Sequence, residues 1–311
     1  MNRSKKRKQY KHFNRWILWI LSVFFVLLLV GGTTIWYKIS DTVNTMHNPL
    51  DRDQHTDRQK QLHSLLKNNE TVNILLLGVD ERSGDKGRSD TLILLSLNPK
   101  SKSMTMMSIP RDTYVNIPEH GMDKINHAYA FGDVPLSIRT VEDTFSIYIP
   151  FYVRINMEGF KDGINALDGV TVQNNHSFMQ NGRQFNKGQL HLNGDEALDY
   201  IRMRKNDPQG DLGRNQRQRD VIKAAMNKAT HFSSITKINN VLNILGENIQ
   251  TNIDMKSLRQ LFSSYRQTGN DIKTLELQGN GKIIDGIWYY IVPDEEFSRI
   301  SSEFDKQIKT K

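Results

Sequence analysis

Three short and almost uninterrupted apolar runs stand close together in the chain: NILLLGV just after Val72, TLILLSLN from Thr91 and SMTMMSI from Ser103. Runs of this length, with no helical period and no alternation of polar residues, suit strands covered on both faces. The turn residues Asn98, Pro99, Lys100 and Ser101 separate the second run from the third. After them the period changes. Helices are predicted near Ile125 to Phe131 and Leu136 to Phe145, then a strand at FYVRIN and a helix from Met157 to Leu167. Asn193 with Glu196 three positions on makes a capping box, which opens a helix through Ala197 and Leu198. A further helix is expected after Asp211 as its N-cap, and an apolar one from Ile238 to Leu245. The strand-like tails KTLELQ and IWYYIV are expected to finish the same sheet. Strands interleaved with helices predict an α/β fold, a mixed central β-sheet flanked by helices.

Ahead of this region the pattern is of another kind. From Trp16 to Tyr37 there is no charge, and at ~1.5 Å per residue the segment reaches about 33 Å, enough to cross a bilayer. Bulky Ile35, Trp36 and Tyr37 follow its glycines, which argues for a retained anchor over a cleaved signal peptide. Residues 38–70 are polar and charge-mixed and read as a stalk. The organisation expected is therefore a basic cytoplasmic tail (1–15), a transmembrane signal anchor (16–37), a stalk (38–70) and an extracellular domain (71–311). That makes a single-pass type II protein of the cell membrane.

The formal charge of +8 could suggest a nucleic-acid binder. Seven of the positive charges, however, are Arg3, Lys5, Lys6, Arg7, Lys8, Lys11 and Arg15, with no acid among them. They flank the apolar segment, where they act as a positive-inside signal, and the remainder is nearly neutral. Nucleic acid is thus not an expected partner. The chain has no cysteine, so it has neither thiol nor disulfide chemistry of its own.

Candidate chemistry concentrates at the ends of the predicted strands. Asp80 and Asp90 bracket a loop that leaves the first strand and enters the second. Paired carboxylates there suit Mg²⁺, which shares its shell with phosphate; a solvated charged turn is the alternative. Arg88 lies two residues before Asp90, on the same face of an extended chain. Arg111 follows the third strand, and Arg202 and Arg204 repeat the spacing of two at the exit of a helix. Each guanidinium can fork onto phosphate oxygens. Near Asp211, Arg214 falls in the first turn and Gln218 one turn later, at a helix N-terminus that favours anions; Arg217 and Arg219 are expected to point into water. Five residues separate Gly78 from Gly84, which excludes a P-loop. The histidines show no metal spacing, and no G-x-S-x-G elbow appears.

The ordered strings NILLLGVDERSGDKGRSDTLILLSLNP, SIPRDTYVNIP, DKINHAYAFGD, LNGDEALDYIRMRK and DPQGDLGRNQRQRDVI resemble the LytR-CpsA-Psr proteins of Gram-positive envelopes from about Val72 to Lys228. The resemblance implies a three-layer α-β-α fold with an apolar tunnel for an isoprenoid. It also implies a phosphotransferase that moves a glycan phosphate, of the wall teichoic acid or capsule type, from a polyprenyl pyrophosphate to a peptidoglycan sugar hydroxyl. By the same resemblance Asp80 and Asp90 match metal carboxylates for Mg²⁺, or Mn²⁺ in its place. Arg88, Arg111, Arg202, Arg204 and Arg214 match pyrophosphate-binding arginines, and Gln218 a phosphate contact. Asp211 matches an acidic motif position, and Lys124 and Asn126 match site-lining positions. The chain departs from the family at Phe131-Gly132-Asp133, where paired glycines are usual, and at Leu167-Asp168-Gly169. A lipid-pyrophosphate sensor without catalysis and a lipid pyrophosphate hydrolase are the competing readings.

Overall fold

The computed structural model describes residues 33–34, 36–80, 87–204, 207–230, 246 and 248–309. Most of the expected anchor from Trp16 to Tyr37 and the expected helix from Ile238 to Leu245 lie outside the described residues. Two compact units divide the chain after Thr42. The described part of the first, residues 33–34 and 36–42, is helical, and among the described residues no helix is long and apolar enough to cross a membrane. The second unit, Val43 to the C-terminus, carries the rest.

It begins well before the apolar runs. Helix α1 (Thr56–Lys67) buries Leu66 against one face of the sheet, and Leu50 sits in the core of the other. Arg52 Nη1 donates to Glu142 Oε2 at 2.6 Å. Residues 43–70 of the expected stalk (38–70) are thus part of the second compact unit, held also by the bridge of His47 to Thr251 and by the Tyr152 hydroxyl, which donates to the Asn48 carbonyl at 2.7 Å. These partners lie far away in sequence and leave no local pattern.

Strands β1 (Val72–Val79), β2 (Ser89–Asn98) and β3 (Ser103–Ile109) pair antiparallel in sequence order. The chain then forms a small hairpin, β4 (Tyr114–Ile117) and β5 (Gly121–Lys124), and helix α2 (His127–Phe145). Strand β6 (Phe151–Asn156) returns parallel to β1. Helix α3 (Met157–Ala166), strands β7 (Val170–Asn174), β8 (Phe178–Gln180), β9 (Arg183–Phe185) and β10 (Gly188–Leu192), then α4 (Gly194–Arg202) and α5 (Asp211–Thr230) follow. The remaining elements are β11 (Ile249–Thr251), α6 (Met255–Gln260), β12 (Asp271–Glu276), β13 (Asn280–Ile284), β14 (Ile287–Ile291) and α7 (Asp294–Lys309). The central sheet has six strands in the order β11-β6-β1-β2-β3-β12, and it is mixed because β6 and β12 join in parallel.

Apolar runs without alternation bury both faces, and the side-chain period of two divides them. Leu75, Leu77, Leu92, Leu94, Met107 and Ile109 turn to one core, which α2 and α7 cover through Ile138, Val141, Ile300 and Phe304. Ile74, Ile93, Leu95, Met104 and Met106 turn to the other, closed by α1, α6 and the Ile222–Met226 stretch of α5. Each such side chain, fully buried, contributes about 1.5–3 kcal/mol. The result is three layers, helix on sheet on helix. A third cluster joins α3, α4 and α5 to β7–β10.

Two expectations are refined. The helices foreseen on either side of Phe131 are one element broken at Gly132 (φ −148°) and Asp133 (φ 56°, ψ −152°). The tail KTLELQ does enter the sheet as β12, parallel to β3, but IWYYIV does not: as β14 it pairs with β13 in a separate hairpin. Its turn, Asp285-Gly286, has positive φ at both positions, the geometry of a tight two-residue hairpin, which carries the chain off the sheet edge.

Candidate functional site

Register places the first three site residues together. Gly78 faces Thr91 and Leu92 faces Ile109, so the end of β1, the start of β2 and the exit of β3 share one end of the sheet. Asp80, Asp90 and Arg111 project from there. Arg111 Nη1 donates to Asp90 Oδ1 at 2.6 Å. Its Nε lies 3.7 Å from Asp112 Oδ2, and Asp112 Oδ1 in turn pairs with Lys124 Nζ at 2.8 Å. The backbone N–H of Asn126 donates to the Arg111 carbonyl at 3.2 Å. Burial alone would lower the Arg111 pKa, yet Asp90, Asp112 and Asp211 together hold it above the ordinary arginine value.

The second group comes from α4 and α5. Arg202 ends α4, and its Nη2 stands 3.9 Å from Asp80 Oδ1. Met203 is buried while Arg202 and Arg204 are exposed on either side of it, so the spacing of two does present both guanidiniums to one side. Arg214 is 6% exposed. Its Nη2 is 2.8 Å from Asp211 Oδ1, but without hydrogen-bond alignment: Arg214 Nε and Nη2 and both Asp211 oxygens are buried and make no hydrogen bond. Burial holds the Arg214 pKa below the ordinary value; Asp211 opposes this, while Arg111 and Arg204 reinforce it. A desolvated cation with unused N–H groups is a receptor for an anion. Gln218 is buried one turn later on the same helix.

Three corrections follow. Asp211 is the first residue of α5 and not its cap; Gly210 precedes it at φ 56°, and the carboxylate turns to Arg214 instead. Arg217 and Arg219 do not point into water, since both are buried. Arg217 Nε donates to the Tyr200 carbonyl at 3.0 Å, Nη1 to Asp207 and Nη2 to the Met203 carbonyl, clamping the segment that carries Arg202 and Arg204. Arg219 donates to Gln216 and reaches Glu276.

Beneath the arginines a cavity of about 1130 Å³ runs between the sheet and helices α3, α4 and α5. Leu76, Val153, Ile155, Phe160, Ile222 and Met226 are among its apolar walls, while Asp90, Arg111, Arg202, Arg204, Arg214 and Gln218 line it too. A second, polar cleft of about 800 Å³ adjoins it, shares Arg202, Asn156, Met157 and Leu198, and adds Asp80. Lys124, Asn126, Asp211 and Arg88 do not line the cavity. Lys124 is tied to Asp112, Asn126 secures the Arg111 backbone, Asp211 backs Arg214, and Arg88 is exposed just ahead of β2. Asp112 and Asn156 were not foreseen. The first was legible only as the neighbour of Arg111. The second doubles as the N-cap of α3, accepting from Gly159 N–H at 2.7 Å.

Asp80 and Asp90 are both partly exposed, with 27% and 32% of their side-chain surface open. Among the described residues no three acidic or histidine side chains gather as a metal cluster. A shell of one or two carboxylates completed by phosphate and water is what Mg²⁺ accepts; Asp80 and Asp90 are open carboxylates of that kind at one end of the sheet, with one Asp90 oxygen already taken by Arg111.

The site is thus an apolar cavity walled by a sheet and three helices, with Arg111, Arg202, Arg204, Arg214 and Asp90 in its lining. The model of the LytR_cpsA_psr family matches residues 33–306, and the chain belongs to this LytR-CpsA-Psr family. A relative from Oceanobacillus iheyensis, named polyisoprenyl-teichoic acid–peptidoglycan teichoic acid transferase TagU, is 55% identical over 307 residues, 96% of either chain. The crystal structure of B. subtilis TagU aligns at TM-score 0.63 with 38% identity, over 78% of this chain and 98% of that one. TagT bound to LIIa-WTA aligns at TM-score 0.71 with 31% identity, over 85% of this chain and 100% of that one.

Proposed function

We propose that this chain transfers a glycan phosphate of the teichoic acid type from a polyprenyl pyrophosphate to a sugar hydroxyl of peptidoglycan. The observation that carries the reading is the junction of the arginine cluster with the apolar cavity. The isoprenoid lies along Leu76, Val153, Ile222 and Met226. The pyrophosphate meets Arg111, Arg202, Arg204 and Arg214 with Gln218, and the donor glycan leaves through the polar cleft. Charge-assisted contacts of about 1.5–3 kcal/mol each hold the diphosphate.

The acceptor oxygen attacks the glycan-side phosphorus in line. The bond from that phosphorus to the bridging oxygen breaks, the acceptor proton is lost to solvent, and a lipid monophosphate departs. As negative charge grows on the bridging oxygen, the preset guanidiniums stabilise it without reorganising. Mg²⁺ held by Asp80 and Asp90 would supply further charge neutralisation at the phosphates. An N-terminal anchor from Trp16 to Tyr37, with the domain on the outer side of the cell membrane, would keep the enzyme at a high effective concentration of its bilayer-bound donor.

The test is a reaction of full-length protein with lipid-pyrophosphate glycan, Mg²⁺ and peptidoglycan oligomers. Covalent conjugate supports transfer; free glycan phosphate alone would instead indicate hydrolysis, and intact bound donor a sensor. Chelation should abolish conjugate formation and added Mg²⁺ restore it. Unchanged turnover in chelator would remove the ion from the proposal.

A further inference from the structure

On the Arg111 side the site meets the β13–β14 hairpin, which the transfer reading leaves unused. The hairpin is fastened to the segment that carries Arg111. Tyr290 N–H donates to the Asp112 carbonyl at 2.8 Å, and Thr113 and Tyr290 form a parallel bridge. Because the two segments run in the same direction, Arg111 and Trp288 stand at equal steps before that bridge. Tyr289 packs on Tyr114 at 4.7 Å between ring centroids, and Lys124 Nζ sits 5.6 Å from the Tyr289 ring. The base of the hairpin is therefore bound to the same Lys124–Asp112 pair that backs Arg111.

Its outer part is open and apolar. Trp288 is 40% exposed, and Ile283, its cross-strand partner, is 69% exposed. A β-carbon on Gly281 would lie 2.7 Å from Trp288 Nε1 and 3.0 Å from Cε2 and Cζ2. The indole thus packs directly over bare Gly281 backbone, which only glycine permits. It is held from below and remains open to a ligand. Trp288, Ile283 and Ile287 together expose aromatic and aliphatic surface of the kind that recognition sites use. A bilayer is the weaker occupant, since Asp285 sits at the tip and Lys282 is the hairpin's single cation, leaving no net positive charge to favour anionic lipid.

We propose that Trp288, seated on Gly281, is the stacking platform for the acceptor glycan: a chain of β-linked N-acetylhexosamines lays the C–H face of one pyranose on the indole, and a neighbouring hydroxyl reaches the phosphate beside Arg111. This rests on the transfer reading. A pyranose with equatorial substituents offers an apolar face of axial C–H bonds, and an indole held on one face and open on the other, on a strand bridged to the Arg111 segment, can recognise it.

Two measurements on the full-length protein test it: binding of a peptide-free oligomer of β-1,4-linked N-acetylhexosamines, and KM for acceptor and for donor in the transfer reaction. Trp288→Ala should weaken oligomer binding and raise acceptor KM by roughly tenfold, with kcat falling much less and donor KM unmoved. Trp288→Phe should recover most of the loss. Gly281→Leu, which displaces the ring while keeping it, should mimic Trp288→Ala. Unchanged oligomer binding in Trp288→Ala overturns the proposal, as does an equal effect on donor and acceptor, or an effect confined to association with anionic vesicles. If wild-type protein binds oligomer through Trp288 but forms no conjugate, the transfer reading fails alone. If it forms conjugate and Trp288→Ala is indistinguishable from it, the platform fails alone.

Discussion

At the scale of single residues, two arginines on one helix do opposite work. Arg214 is buried with N–H groups unused and its pKa depressed by desolvation; Arg217 is equally buried, yet its donors go to Tyr200, Met203 and Asp207. Replacement should separate them. Arg214→Met should cut transfer by about 10²–10³-fold and cost some stability too, because it strands the buried Asp211 carboxylate, but less than the loss of Arg217, whose side chain also holds two backbone carbonyls. Arg217→Ala should cost about 3 kcal/mol or more, by leaving Asp207 and two carbonyls without their partner, measured as a shift in denaturant midpoint. Its activity should fall because Arg202 and Arg204 lose their mounting. A Arg214→Met protein that unfolds as readily as Arg217→Ala would contradict this division.

Elements were legible in the sequence to the extent that their patterns are local. The runs at Val72, Thr91 and Ser103 could be read as strands because a doubly covered strand has no polar alternation. Their register then brought Asp80, Asp90 and Arg111 to one end without further assumption. The spacing of Arg202 and Arg204 was equally readable, since buried Met203 between them fixes the side. What could not be read depends on distant partners. Nothing in the period of α5 distinguishes a clamp from a surface arginine. Lys124 belongs to a site motif but spends its charge on Asp112, and Leu50 enters the core from a polar stretch. The IWYYIV strand is a different case, because the Asp285-Gly286 turn ahead of it was a hairpin signal in plain view. The break in α2 carries its own prediction. Asp133 holds φ 56° and ψ −152°, a region that is nearly glycine's alone and costs other residues about 1–3 kcal/mol. Asp133→Gly should raise stability by on the order of 0.5–1 kcal/mol after its greater chain entropy is subtracted. A lower thermal midpoint would show that the Asp133 Oδ1 contact with Val134 N–H, at 2.7 Å, outweighs the backbone.

For the molecule as a whole, the three layers matter because they leave a gap. Sheet and helices pack closely around two cores, and between the sheet and α3, α4 and α5 a cavity of about 1130 Å³ remains, walled in part by the same Ile222 and Met226 that help close one of those cores. Ligand that binds only the folded state adds RT ln(1 + [L]/Kd), about 2.7 kcal/mol at a hundredfold excess over Kd. A short-chain polyprenyl pyrophosphate should therefore raise the thermal midpoint of the wild type and raise that of Arg214→Met much less. Inorganic pyrophosphate, which reaches the arginines but leaves the apolar walls bare, should give a smaller increase than the lipid. Equal increases from the two would mean that the cavity takes no part in binding.

The unused N–H groups of buried Arg214 have one more consequence. A resting enzyme of this design is poised in a state of electrostatic tension, which the arrival of a diphosphate relaxes and the departure of product restores. On the proposed transfer reading, turnover and sturdiness are then coupled in time: the protein is most easily unfolded in the idle interval between substrates.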